Sequence, residues 1–314
     1  MSFDTIDNNL NMKLLGIRRG AKYSPNLVDS DAAIFNKVAS ELKDMGHDVD
    51  VITEDEMLLT KQEEYDRVFG MERNCTSIQQ LMLNTNEATP VASTPQETKA
   101  DKRFFNSLSG IMTCTCKGVV CEKMKEANVP QPEYIYYNDG IKVSASYNQK
   151  GLDAAAECSN EISLPVWIKN SDTSAVTADD TVYCATQQEK TMAIERFKER
   201  NIMTWVEQKH LAGDLIKFYG VEGTSFFHWQ YASHGHSKFG LESINGKEKG
   251  YTFTPKVIKE HLDRFAALID VPIYGGDAII DADGNFWIID FNDFPSFSSC
   301  RDEAAKAIAK RITL

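Results

Sequence analysis

The sequence predicts an α/β protein: a small Rossmann-like parallel unit first, then a C-terminal half of α+β character. Three observations carry that expectation. Residues 12–53 read strand, helix, strand, and a connection of that length joins parallel rather than hairpin strands. Residues 255–292 read as an amphipathic helix followed by a hairpin turned at Asp283-Gly284, which is antiparallel structure. The chain has 314 residues, 42% hydrophobic and 25% charged, enough for two or three packed units of ordinary globular composition.

The elements follow in order. MKLLGIRRG (12–20) is a first strand running into a loop. Over 30–45, Ile34, Val38, Ala39 and Leu42 share one helical face, and Gly46 follows as a stop. Segments 48–53 and 65–71 read as the second and third strands. The Ser/Thr/Pro-rich stretch 89–98 is a surface connection, and 99–109 is predicted helical. A helix over 117–127 ends at Asn128 and precedes a proline-bounded strand. LPVWIKN (164–170) is an apolar strand ending near Lys169, followed by a polar loop. A charged helix covers 187–200. Residues 203–221 read strand, short loop, strand, and SFFHWQYASHG adds another strand. These elements divide the chain into units at 12–113, 114–202 and 203–314.

Composition excludes several function classes. The net charge is −12, so attraction to nucleic acid or an anionic membrane is not the main purpose. No apolar run approaches the roughly 20 residues of a membrane span. The first residues lack the basic and apolar regions of a secretory signal. Seven cysteines at irregular spacing, with no CxxC, fit reduced thiols and a cytoplasmic location. Cys114, Cys116 and Cys121, or His228, His234 and His236, fall short of a complete metal set. They read as small buried residues and as polar strand or turn positions.

The chemistry concentrates in IIDFNDFPSF (288–297). An apolar strand, Trp287 to Ile289, ends by presenting Asp290, Asn292 and Asp293. Asp290 and Asn292 are two apart and share a strand face. The hairpin returns them beside Asp277. Two carboxylates and an amide oxygen suit Mg²⁺, which takes the rest of its shell from water and substrate phosphates. The same residues also suit a polar strand end with Asx turns. Lys169 ends an apolar strand and Lys217 interrupts one, placements that are costly unless the charge is used. Lys117 opens a helix and, alone, reads as a snorkelling surface residue. Together the cations and carboxylates suggest a nucleoside triphosphate with Mg²⁺.

In this order the pieces resemble the ATP-grasp superfamily. CKGVVCEKMKEANVPQPEYI is similar to its lysine-to-GxPxP segment through Lys117, Pro130 and Pro132. LPVWIKN resembles its PxxxKP strand, TWVEQKHLAGD its hinge, and IDFNDFPSF its closing D/E-x-N-x-x-PG. The resemblance spans about residues 114–299. It is strongest to the branch holding ribosomal-protein glutamate ligases, glutathione synthetases and certain inositol-phosphate kinases. It implies an ATP-grasp fold preceded by the small α/β unit. It implies phosphate contacts from Lys117, Lys169 and Lys217. Glu207 would meet the adenine amino group, and the backbone of Gln208, Lys209 and His210 the adenine edge. Asp214 would hold the ribose. Asp277, Asp290 and Asn292 would bind one or two Mg²⁺ ions, with Mn²⁺ as a substitute.

The sequence departs from the family pattern in places. Ser296 stands where glycine is usual, and Cys116 where aspartate precedes the lysine, with Asp101-Lys102 a rival match. The loop after Lys169 has no glycine, which leaves Ser171, Thr173 and Ser174 as its donors. For the substrate arginine, Arg264 and Arg301 are the candidates, with Lys238 and His228 beside them. The implied function is an ATP-dependent carboxylate–amine ligase acting on small-molecule or peptide substrates. A kinase with a hydroxyl acceptor and a non-catalytic nucleotide-binding protein are the alternatives. The oligomeric state stays open, a dimer being one option.

Overall fold

The computed structural model describes residues 11–23, 27–85, 103–146, 161–171, 177–234 and 240–314. The predicted surface connection at 89–98 lies outside these, as do Thr173, Ser174, His236 and Lys238.

Strands β1 (Lys13–Arg18), β2 (Asp48–Thr53) and β3 (Arg67–Gly70) form a parallel sheet in the order β2-β1-β3. Central β1 buries Leu14, Leu15 and Ile17 completely, as a parallel strand covered on both faces must. Helix α1 (Val28–Asp44) packs on it through Ile34, Phe35, Val38 and Leu42. Helix α2 (Cys75–Thr85) covers the other face with Ile78 and Met82. Of the helix expected over 99–109, residues 99–102 lie outside the described residues and the rest is corrected. Residues 103–107 are not helical, Phe104 bridges to Val68 beside β3, and helix α3 begins only at Leu108 and runs to Thr115. Its start is set by Ser107, whose hydroxyl accepts from Gly110 N at 3.0 Å.

Helix α4 (Lys117–Glu126) follows at once, and Asn128 leaves it with φ 53°, the left-handed turn that asparagine tolerates. A five-stranded antiparallel sheet comes next. It contains β4 (Tyr134–Asn138), β5 (Ile141–Ser146), β6 (Val166–Asn170) and β7 (Thr181–Cys184), backed by helix α5 (Gln187–Glu199), and β8 (Trp205–Lys209), in the order β5-β4-β8-β6-β7. Strand β8 thus pairs with β4 and β6 although the sequence placed it in the third unit. That division is corrected at residue 203.

A second antiparallel sheet joins β9 (Asp214–Val221), β10 (Phe227–Tyr231), β11 (Ile273–Ile280) and β12 (Phe286–Asp293) in the order β10-β9-β11-β12. Helix α6 (Pro255–Leu268) packs beneath it through Ile258, Leu262 and Phe265. The chain closes with helix α7 (Arg301–Ile312). Its Ala304, Ala305, Ile308 and Ile312 enter the same core as α1, together with Phe294 and Phe297. The end of β12 is therefore anchored on the N-terminal sheet, where the site lies.

Gly118 marks one close approach beside that site. A Cβ there would meet the Tyr136 ring at 2.1 Å, and its N–H donates to Ser171 Oγ at 2.8 Å. Gly118→Ala is expected to destabilise the fold by about 1–3 kcal/mol through overpacking, read as a lower urea midpoint at unchanged slope.

Candidate active site

One cavity of about 360 Å³ lies between the two antiparallel sheets and opens onto the carboxyl ends of β1 and β3. Lys117, Lys169, Gln208, Lys209, His210, Lys217, Asp277, Asp290 and Asn292 all line it.

Strand pairing builds the acidic end. Asp277 sits opposite Asp290 on one side and opposite Lys217 on the other, so β11 centres the group. Lys217 Nζ lies 3.4 Å from Asp277 Oδ1 and 3.5 Å from Glu242 Oε1. Lys117 Nζ lies 2.6 Å from Asp290 Oδ1, and Asn292 Nδ2 donates to Asp290 Oδ2 at 3.0 Å. Between Asp277 and Ala278 the register slips, leaving Ile289 without a partner in the β11–β12 ladder. The bulge frees its carbonyl, which accepts from Lys169 Nζ at 2.9 Å. Lys169 also donates to Gln208 Oε1 at 2.6 Å. A backbone irregularity thus completes the binding of a lysine that is 8% exposed.

The charges act on one another. Burial lowers the Lys169 ammonium to about 8, with Asp290 opposing the shift and Lys117 adding to it. Burial pushes Asp290 up, but Lys117 and Lys169 together hold it below the usual carboxylate range. Asp277 is raised, because burial outweighs the stabilising charge of Lys217. Lys217 is raised by Asp277 against the cost of burial. Two neighbouring carboxylates are pushed in opposite directions, a pattern common at functional sites.

The donor set fits a hard divalent ion. Asp277 and Asp290 are 29% and 25% exposed toward the cavity, and turning the Asn292 amide presents a third oxygen. Among the described residues no three of His, Cys, Asp and Glu gather as a metal cage, so such an ion would keep water or substrate oxygens in its shell. The cysteine and histidine groups noted in the sequence form no such set among those residues.

Four expected side chains are elsewhere. Glu207 is fully buried on the opposite face of β8 and is bound to Lys190 of α5 at 2.6 Å. Strand alternation turns Gln208 to the cavity and its neighbour away. Asp214 is also buried and accepts three backbone N–H bonds, from Lys249, Gly250 and Tyr251. Its carboxylate is occupied, and Leu215 and Lys217 face the cavity instead. Arg264 is exposed on the outer face of α6. Arg301 opens α7 beside Lys37 in a separate cleft. At the hinge, Lys209 N donates to Glu133 O and His210 N to Pro165 O, so those two backbone donors are already engaged. Ser171 accepts from Gly118 and stands beside Cys116.

The sequence reading missed Arg19 and Arg73, which line the cavity from the N-terminal unit. Each lies just past the carboxyl end of a parallel strand, where α/β sheets bind ligands. That positional rule was the signal available for finding them.

No family model matches the chain, and no curated protein matches its sequence. Solved structures do. An ATP-grasp RimK domain protein from Sphaerobacter thermophilus superposes with a TM-score of 0.60 at 12% identity, over 95% of this chain and 99% of that one. A D-alanine–D-alanine ligase from Bacillus anthracis complexed with ATP gives 0.57 at 13% identity, over 96% and 94%. Another structure of that ligase gives 0.57 at 12% identity, over 96% of each chain. The chain has the ATP-grasp fold.

Proposed function

We propose that the protein is an ATP- and Mg²⁺-dependent ligase that joins a carboxylate to an amine through an acyl phosphate. One observation carries this reading: Asp277, Asp290 and Asn292 share one end of a cavity with Lys117, Lys169 and Lys217. A polyphosphate with its divalent ion needs both signs of charge in one place. Trp167, Leu215, Ile279 and Ile289 supply apolar wall for a base. Gln208 and the hinge carbonyls border it, and Lys209 and His210 form its rim. The likeness to solved ATP-grasp structures supports the fold on which this reading stands.

Lys169 and Lys217 offset phosphate charge, and Lys117 exchanges Asp290 for a phosphate oxygen when nucleotide arrives. Asp277, Asp290 and Asn292 would hold a Mg²⁺ ion, which would supply charge neutralisation for the phosphates. The reacting carboxylate is already ionised at neutral pH, so this first step requires no side-chain base. Positioning and charge neutralisation do the work.

Lys169→Ala is expected to weaken ATP binding by about 1–3 kcal/mol, the range for a lost charge-assisted contact. Free Lys169 loses its proton near pH 8, while bound phosphate raises its pKa. Wild-type affinity therefore falls as pH rises above 8, and the variant lacks that fall. Titration calorimetry across pH 7–10 checks both; parallel pH profiles would remove Lys169 from the phosphate site.

The function itself is tested by following ADP and phosphate release while an amine is varied at fixed carboxylate. Release that depends on both substrates supports the ligase. A phosphate ester formed without any amine requirement makes the protein a kinase instead.

A further inference from the structure

The same cavity reaches residues of the N-terminal unit. There it is walled by Arg19 and Arg73, from loops that follow the adjacent parallel strands β1 and β3. Glu54, 1% exposed, ties these loops together. One of its oxygens accepts from Gly20 N, and the other from Arg73 N and Asn74 N, both at 2.9 Å.

The two guanidiniums are fixed but not saturated. Arg19 donates to Met71 O at 2.8 Å, Asp31 Oδ2 at 2.9 Å and Phe294 O at 3.4 Å. Arg73 donates to Asp293 Oδ2 at 2.5 Å, Asp293 O at 3.1 Å and Glu72 O at 3.2 Å. A guanidinium carries five N–H groups. Among the described residues these bonds use three on each arginine and leave two. Both side chains are about nine-tenths buried and line the cavity. Each has one carboxylate hydrogen-bonded to its guanidinium, and with N–H groups to spare the pair suits one planar anion held by paired donors better than a polyphosphate.

Its distance from the reacting end is set by β12. Asp293, which holds Arg73, lies three residues beyond Asp290, about 10 Å along a strand.

We propose that Arg19 and Arg73 bind a second, non-reacting carboxylate of the substrate, while the reacting group lies beside Asp290. This deepens the ligase reading and rests on it. The carboxylate has two possible sources: an amino acid acting as the amine, or a dicarboxylic acid acting as the acyl donor.

The test is thermal unfolding of the full chain with Mg²⁺ and a non-hydrolysable ATP analogue, adding matched pairs of probes. Alanine is compared with ethylamine, and glutarate with butyrate. The member carrying the extra carboxylate should raise Tm by about 2 °C or more, and its partner should not. A shift with alanine assigns the carboxylate to the amine substrate, and a shift with glutarate assigns it to the donor. Arg19→Gln should remove the shift while the analogue still stabilises the protein. Arg73→Gln takes the guanidinium from buried Asp293 and Arg19→Gln takes it from buried Asp31, so the wild-type pairs carry the result and Arg19→Gln is read where the analogue still stabilises it. If the analogue stabilises the protein but both members of each pair behave alike, the proposal is overturned. An unchanged shift in Arg19→Gln also overturns it. If the analogue itself has no effect, the ligase reading fails first and this one with it.

Discussion

Asp290→Asn is expected to lower turnover about 1,000-fold, roughly 4 kcal/mol of transition-state stabilisation, with little change in fold. Asp290 pairs with Asp277 across the hairpin and binds Lys117 at 2.6 Å. The amide keeps the shape and removes the charge that would hold Mg²⁺ and align Lys117. The Mg²⁺ concentration for half-maximal rate should rise at the same time. Circular dichroism and nucleotide binding serve as controls. Wild-type turnover at low Mg²⁺ in this variant would take Asp290 out of the metal site.

The second large effect falls on stability, away from the chemistry. Lys190→Met is expected to cost about 3–5 kcal/mol, because it strands a buried carboxylate. Lys190 and Glu207 are 10% and 0% exposed and bonded at 2.6 Å. Burial raises the Glu207 carboxyl, and Lys190 is the strongest opposing influence. Adding Glu207→Leu should recover most of the loss, since an apolar pair needs no neutralisation. Denaturant unfolding of the single and double variants measures it. Additive losses in the double variant would show that the pair is not coupled. Because Glu207 neighbours Gln208, which holds Lys169, the single variant should also weaken nucleotide binding.

The pairing of Asp277 with Asp290 was legible in the sequence for a simple reason. Strand period two put Asp290 and Asn292 on one face, and Asp283-Gly284 set the turn that brought Asp277 opposite Asp290. Lys169 was legible because a cation ending an apolar strand needs a use. The parallel unit was readable from α1 and its flanking strands. By contrast, a short motif gives spacing but not the side a residue faces. The hinge spacing therefore placed Glu207 and Asp214 in the cavity, while strand parity and the 249–251 backbone turned them away. The bulge at Ile289 leaves no composition signal, and it decides how Lys169 is held. Strands β5 and β7 went unread because they are short and only partly buried. Arg19 and Arg73 are far apart in sequence, and only the parallel order β2-β1-β3 brings them to one edge.

The ligase chemistry is tested most directly by trapping. With ATP, Mg²⁺ and a carboxylate substrate, hydroxylamine in place of the amine should intercept the acyl phosphate. The predicted products are a hydroxamate, ADP and free phosphate in equal amounts, formed by wild-type protein and not by Asp290→Asn. ATP consumed with no hydroxamate, and the γ-phosphate recovered in a stable ester, would contradict the ligase assignment.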